Sequence, residues 1–186
     1  MTRLQAWQGD ICDLEVDAVV SPATGSLWMS SGVGAAIKKR GGDSIEIAAV
    51  RAGPIALGSA VATTAGRLAA KAVIHAATIE AAHRTTPEIV ASAARSAVLR
   101  AQEIGARSMA FPALGAGTGG LDPETSAVAT VGAIREALAS APDVRRIVFA
   151  LLDPGAFGAY RAEIERTEAA EDAGGTGGAG GPGGAA

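Results

Sequence analysis

Apolar positions along this chain follow two rhythms, short continuous or alternating runs and longer stretches with a repeat of three to four. The runs Leu4 to Gln8, Asp17-Ala-Val-Val20, Ala60 to Thr64, Ala72-Val-Ile-His-Ala-Ala77, Ser108 to Leu114 and Arg146 to Leu152 read as strands, with Ser21-Pro22 closing the second. Between them the helical repeat predicts helices over 33–40, where Val33, Ala36 and Ile37 share a face, and over 44–51. A longer helix follows, with Thr86 as cap, Pro87 in its first turn and Ile89, Ala93, Ala97, Ala101 and Ile104 at helical spacing before Gly105. Asp122-Pro123-Glu124 opens another, carrying Val128, Val131, Ile134 and Leu138, and 157–165 forms the last. Alternating βα units of this kind predict an α/β domain whose largely parallel sheet is covered by helices on both faces.

Beyond Arg166 the pattern stops. Glu168 to Asp172 runs into the glycine-rich stretch 174–184, whose composition cannot offset the entropy of ordering. The chain is therefore expected to comprise one domain over 1–166 and a flexible tail over 167–186. Hydrophobic residues make up 48% of the sequence and aromatic ones only 3%, so the core has to be built from Val, Ile, Leu and Ala. No apolar run is long enough to span a membrane, and 1–5 lack the apolar stretch of a signal peptide. With Cys12 the single cysteine, a cytoplasmic setting is expected. The net charge of −3 and the scattered Lys and Arg argue against nucleic acid as the main partner. Lys38-Lys39-Arg40 reads as the solvated end of a helix, where cations complement the dipole.

Candidate chemistry concentrates in two loops. In 111–123 a buried strand enters Gly115, Gly117, Gly119 and Gly120, and a capped helix leaves them. Backbone N–H groups unobstructed by Cβ, at a helix start, suit phosphate. Gly115, Gly117 and Gly120 also satisfy the dinucleotide fingerprint literally, but the acid expected about 20 residues on is misplaced, since the next strand ends at Asp153. The second loop, 21–35, brings Gly32 and Gly34 to another helix start. Two such loops at one sheet edge can grip both ends of a diphosphate. Asp10 after the first strand either accepts from an exocyclic amine or caps a turn. His75 reads as a core histidine, His83 as an exposed turn residue and Cys12 as a small buried hydrophobe; no metal-ligand cluster of familiar spacing occurs.

Together the segments Gly9-Asp10-Ile11, Val16 to Val20, Leu27-Trp-Met29, Gly32 to Lys38, Val73-Ile-His-Ala76 and Phe111 to Gly120 resemble, in order, the macrodomain family, whose members bind ADP-ribose. The resemblance implies a three-layer α/β/α fold with a mixed, mostly parallel central sheet. It implies that Asp10 and Ile11 meet the adenine, with Leu152 where many members place an aromatic ring. Gly32, Val33 and Gly34 fall in the first diphosphate loop, and Leu114, Gly115, Ala116, Gly117, Thr118 and Gly119 in the second. Ala23 and Thr24 fall beside the distal ribose. Many members carry Asn-x-Ala-Asn there, whereas this chain reads Ser21-Pro22-Ala23-Thr24 and contains no asparagine. A threonine hydroxyl is shorter than an amide and lacks its paired donor and acceptor.

Three functions remain open. The first is binding of ADP-ribose or of an ADP-ribosylated protein, with no cofactor, metal or membrane involved. The second is hydrolysis of ADP-ribosyl esters, O-acetyl-ADP-ribose or ADP-ribose 1''-phosphate, for which no catalytic residue is identified and against which Thr24 and Gly34 speak. The third is a nicotinamide-dependent oxidoreductase.

Overall fold

The computed structural model describes residues 2–79 and 84–175. Six strands, β1 (Arg3–Gln8), β2 (Ala18–Thr24), β3 (Ala60–Thr64), β4 (Ala72–Ile79), β5 (Ser108–Phe111) and β6 (Arg146–Leu151), form one sheet in the order β1-β6-β5-β2-β4-β3. The helices are α1 (Gly32–Gly41), α2 (Asp43–Ala52), α3 (Pro87–Glu103), α4 (Pro123–Leu138) and α5 (Pro154–Gly175). Every strand pairing is parallel except that of β3 with β4. This is the expected mixed, mostly parallel sheet between two helical layers.

Strand side chains alternate between two cores, as the pleat requires. Ala18 and Val20 of β2 join the larger core with α3, α4 and α5, while Val19 joins the smaller one with Ile37 of α1 and Ile45 of α2. Alanines at 93, 94, 97 and 101 on α3 are fully buried beside Val131 and Ile134 of α4, so small side chains let these two helices lie close. The ring of Phe149 fills the space between Phe111 and Tyr160, with centroids 6.0 and 5.0 Å away.

Thr86 caps α3 through Ile89 N–H, and Asp122 caps α4 through Thr125 N–H, both at the expected helix starts. Three residues assigned to apolar helix faces lie outside them, the first being Ala36 of α1, which is exposed. Ile104, which caps α3 beyond its last helical turn, is 43% exposed, and Val128 is 54% exposed because Ala127 and Val131 occupy the inward side of α4.

Three boundaries differ from expectation. β2 continues through Ser21-Pro22 to Thr24. β5 flanks it only at Ala18 and Val19, so Pro22 sits where one side of the strand is unpaired and its missing N–H costs no ladder bond on that side. β5 ends at Phe111, before Pro112, and not at Leu114. Helix α5 runs to Gly175, well past Arg166. Arg135 of α4 holds the extension, with Nε donating to Thr167 Oγ1 at 2.7 Å and Nη1 2.7 Å from Glu171 Oε1. The rest of the expected tail, 176–186, and His83 lie outside the described residues.

Candidate ligand cleft

Five parallel strands end on the same side of the sheet, and the loops that follow β1, β2, β5 and β6 converge there, as ligand sites of open α/β sheets do. They enclose two adjoining cavities. One, of about 450 Å³, is lined by Asp10, Ile11, Ala116 and Leu152 together with Ala36, Pro112 and Asp153. The other, of about 350 Å³, is lined by Ala23, Thr24, Gly34, Gly115, Thr118 and Gly119, with Ser26, Trp28, Ser30 and Ser31. Gly32, Val33, Ala113 and Gly117 line both, so the two Gly-containing loops form a waist between two lobes.

Of the residues the resemblance places at the ligand, Leu114 alone lines neither cavity. Its side chain is fully buried, and its carbonyl accepts from Ser126 Oγ at 2.7 Å, which in turn meets Tyr160 Oη at 2.8 Å. Because β5 stops early, Leu114 lies beneath the loop as its anchor and lines neither cavity.

The loop beyond it is held by its own backbone. Ala116, Gly120 and Leu121 donate to Ala113, Gly117 and Gly115 carbonyls, while among the described residues the N–H groups of Gly117, Thr118 and Gly119 take no part in those bonds. A Cβ on Gly119 would lie 2.7 Å from the Gly115 carbonyl oxygen, whereas one on Gly117 would meet nothing within 4 Å. Gly119 is thus needed to fold the loop, and Gly117 keeps the waist open. Across the waist, Gly32 begins α1 at φ 57°, a left-handed conformation that favours glycine.

Of the two roles the sequence left open to Asp10, the turn cap is the one seen. Its Oδ1 accepts from Cys12 N–H at 2.9 Å and so closes a single 3-10 turn over Ile11–Asp13, an element the apolar pattern did not reveal. Its Oδ2 lies 3.7 Å from Arg40 Nη1 at the edge of the first lobe. Cys12, beneath that turn, has its thiol pKa pushed up to about 11 by burial and by the neighbouring Asp10 carboxylate, which removes it as a nucleophile.

The second lobe is a hydroxyl-rich surface. Thr24 Oγ1 and Ser26 Oγ are 2.9 Å apart. Ser31 precedes α1 without a side-chain capping bond. Among the described residues no Asp, Glu, His, Cys, Lys or Arg lines this lobe. Trp28, 59% exposed, forms part of its wall, a position the sequence motif Leu27-Trp-Met29 marked without giving it a role. Trp28 is aimed outward by Leu27, whose φ of 64° is positive for a non-glycine residue and whose side chain is fully buried against Ala23 and Ala49. Glu46 of α2 fixes the same segment, accepting from Met29 N–H at 2.9 Å and from Lys38 Nζ at 2.6 Å. That lysine contact, above all, holds the Glu46 carboxyl below its ordinary pKa.

Ser21 and His75 are register partners on β2 and β4, and both are fully buried. His75 Nε2 meets Thr63 Oγ1 at 2.8 Å, while His75 Nδ1 and Ser21 Oγ have no protein partner among the described residues. Asp153 accepts from Ala156 N–H at 2.8 Å, so its position at the end of β6 serves the start of α5. No group of three or more His, Cys, Asp or Glu that could hold a metal ion occurs among the described residues.

A three-layer fold with a two-lobed cleft at the carboxyl ends of its strands, pinched between two Gly-containing loops, places this chain among the open α/β proteins whose sites lie at that end of the sheet. The chain matches the Macro domain family over residues 20–130 and belongs to it. It is 36% identical over 171 residues to a macro domain-containing protein of Streptomyces coelicolor, covering 88% of this chain and 99% of that one. It is 38% identical over 165 residues to an uncharacterized protein of Mycobacterium bovis, covering 89% of this chain and 46% of that protein. The chain thus spans about half the length of such mycobacterial relatives. In fold it is similar to the Trypanosoma brucei macrodomain in complex with ADP-ribose, with a TM-score of 0.79 at 22% identity over 87% of this chain and 68% of the other.

Proposed function

We propose that this chain binds ADP-ribose, free or attached to protein, in an extended pose across both lobes. The adenosine occupies the lobe of Asp10, Ile11 and Leu152, the diphosphate crosses the waist, and the distal ribose enters the lobe of Thr24 and Gly34. The observation that carries this reading is the waist itself. Two glycine-bearing loops, each leading to a helix start, face one another between an apolar lobe and a hydroxyl-lined one. The solved Trypanosoma brucei macrodomain–ADP-ribose complex supports the choice of ligand. Calorimetric titration with ADP-ribose, AMP and NAD tests it. ADP-ribose is expected to bind far more tightly than AMP, because only the longer ligand reaches the second phosphate site, and equal affinities would overturn the reading.

Hydrolysis of an ADP-ribosyl ester at the same site is the second reading. It would require a water to be positioned against the distal ribose, and the second lobe offers hydroxyls but, among the described residues, no titratable group to activate one. Binding without efficient turnover is therefore the form of the proposal.

A further inference from the structure

A third cavity, of about 480 Å³, adjoins the second lobe. The two share Met29 and Ser30, whereas it shares no residue with the adenosine lobe. The cavities therefore follow one another in line. On the nucleotide reading, a group on the distal ribose that passes Met29 and Ser30 enters this cavity.

What it meets is cationic. Lys38 and Lys39 come from the last turn of α1, and Arg67 from the turn between β3 and β4. Lys38 is engaged by Glu46, but among the described residues Lys39 and Arg67 have no carboxylate partner, and both are exposed. Arg67 reaches the cavity over Gly42, where φ is 101° and an added Cβ would lie 2.7 Å from Arg67 Nη1. Glycine at the junction of α1 and α2 thus leaves the guanidinium its place.

We infer that this cationic face receives an acidic stretch of polypeptide flanking the ADP-ribosylated side chain. The inference rests on the nucleotide reading above and adds the class of protein partner to it. Separated point charges on flexible stems suit several spaced carboxylates. A further ADP-ribose unit would instead call for a backbone N–H cradle like the two at the waist. Here the unpaired positive groups are two separate side chains, Lys39 and Arg67, and the start of α2 at Gly42 and Asp43 presents a carboxylate along with its backbone.

The test compares two peptides carrying one stably linked ADP-ribosyl group, one with Glu and one with Gln at the flanking positions, alongside free ADP-ribose and an ADP-ribose dimer. The parent chain is expected to bind the Glu peptide about fivefold more tightly at low salt, the scale of two exposed ion pairs. The double variant Lys39→Gln, Arg67→Gln should lose that preference and keep the affinity for free ADP-ribose. Equal affinities for the two peptides, or a preference that survives in the variant, would overturn the inference. A preference for the ADP-ribose dimer over both peptides that disappears in the variant would overturn it in favour of a polymer subsite. Failure of free ADP-ribose to bind would sink the nucleotide reading itself, and so is told apart from failure of the cationic face.

Discussion

Gly117 and Gly119 sit two positions apart in one loop, yet a side chain at each meets different surroundings. Gly117→Val should leave the fold intact by circular dichroism, because nothing lies within 4 Å of its Cβ position, and should lower ADP-ribose affinity at least about tenfold by filling the waist. Gly119→Val, pressed against the Gly115 carbonyl, should instead destabilise the protein by about 1–3 kcal/mol in urea unfolding. If the two variants lose affinity and stability in parallel, the division between them is wrong. Asp10 caps its turn and also lines the first lobe, so on the proposed pose Asp10→Ala should cost roughly 1.5–3 kcal/mol of ADP-ribose binding. Loss of the 3-10 cap should remove about 1 kcal/mol of stability besides. A lower melting temperature with unchanged affinity would leave Asp10 a turn residue only. At Thr24, one hydroxyl stands where an amide would supply donor and acceptor together, and it is already shared with Ser26. Release of ADP-ribose from a glutamate-linked protein substrate should be slow or undetectable for the parent chain, and Thr24→Asn should raise it; turnover by the parent at the level of active relatives would refute the binder reading.

At the scale of elements, Asp17 shows why some joints were hidden. Just before β2 it accepts from Arg107 N–H at 2.9 Å and from Ser108 N–H and Oγ at 3.0 and 3.1 Å, tying the start of β5 to β2. Its carboxyl pKa is lowered to about 2, by the Lys71 ammonium first and by these donors together. The Lys71 side chain is 82% exposed, so solvent screens its contribution. Lys71→Ala should therefore cost no more than about 1 kcal/mol, whereas Asp17→Ala, which strands the donors on β5, should cost about 2–3 kcal/mol. Equal losses in urea unfolding would contradict this ordering. Nothing in the sequence marked Asp17 as more than the first residue of a strand, because its partners lie about ninety positions away. Local signals were legible where local chemistry decides: Thr86-Pro87 and Asp122-Pro123 set helix starts, and Gly-containing segments after strands marked both sides of the waist. Signals failed where tertiary contact decides. Pro22 looked like a strand terminator and is not, since β5 has already left that flank of β2. Leu114 looked like the end of a strand and lies instead in the turn beyond β5, its side chain buried and its carbonyl held by Ser126. The end of α5 was hidden because Arg135, far back in the chain, holds Thr167 and Glu171.

Across the whole molecule, His75 couples the centre of the sheet to pH. Burial lowers its pKa from 6.5 to about 4 in the folded chain, so the folded imidazole stays neutral. Below its ordinary value the unfolded chain takes up a proton that the folded chain refuses. Stability is therefore fully present above pH about 6.5 and is lost as pH falls toward about 4, on the order of 3 kcal/mol over that window. Urea unfolding at pH 7 and pH 4.5 should show this slope, and His75→Gln should flatten it; an unchanged slope would assign the effect elsewhere. No helix among the described residues is long and apolar enough to cross a membrane. The sparse aromatic content that shaped the core has one more outcome. The chain holds only two tryptophans, Trp7, half-buried against the smaller core, and Trp28, exposed on the wall of the second lobe. Its ultraviolet emission is therefore the sum of two sources, Trp7, whose ring packs on Gly9 at the first lobe, and Trp28, which faces the second. A ligand that fills both lobes should shield Trp28 from water and shift its emission to shorter wavelength, while AMP, confined to the lobe beside Trp7, should leave the Trp28 contribution unchanged.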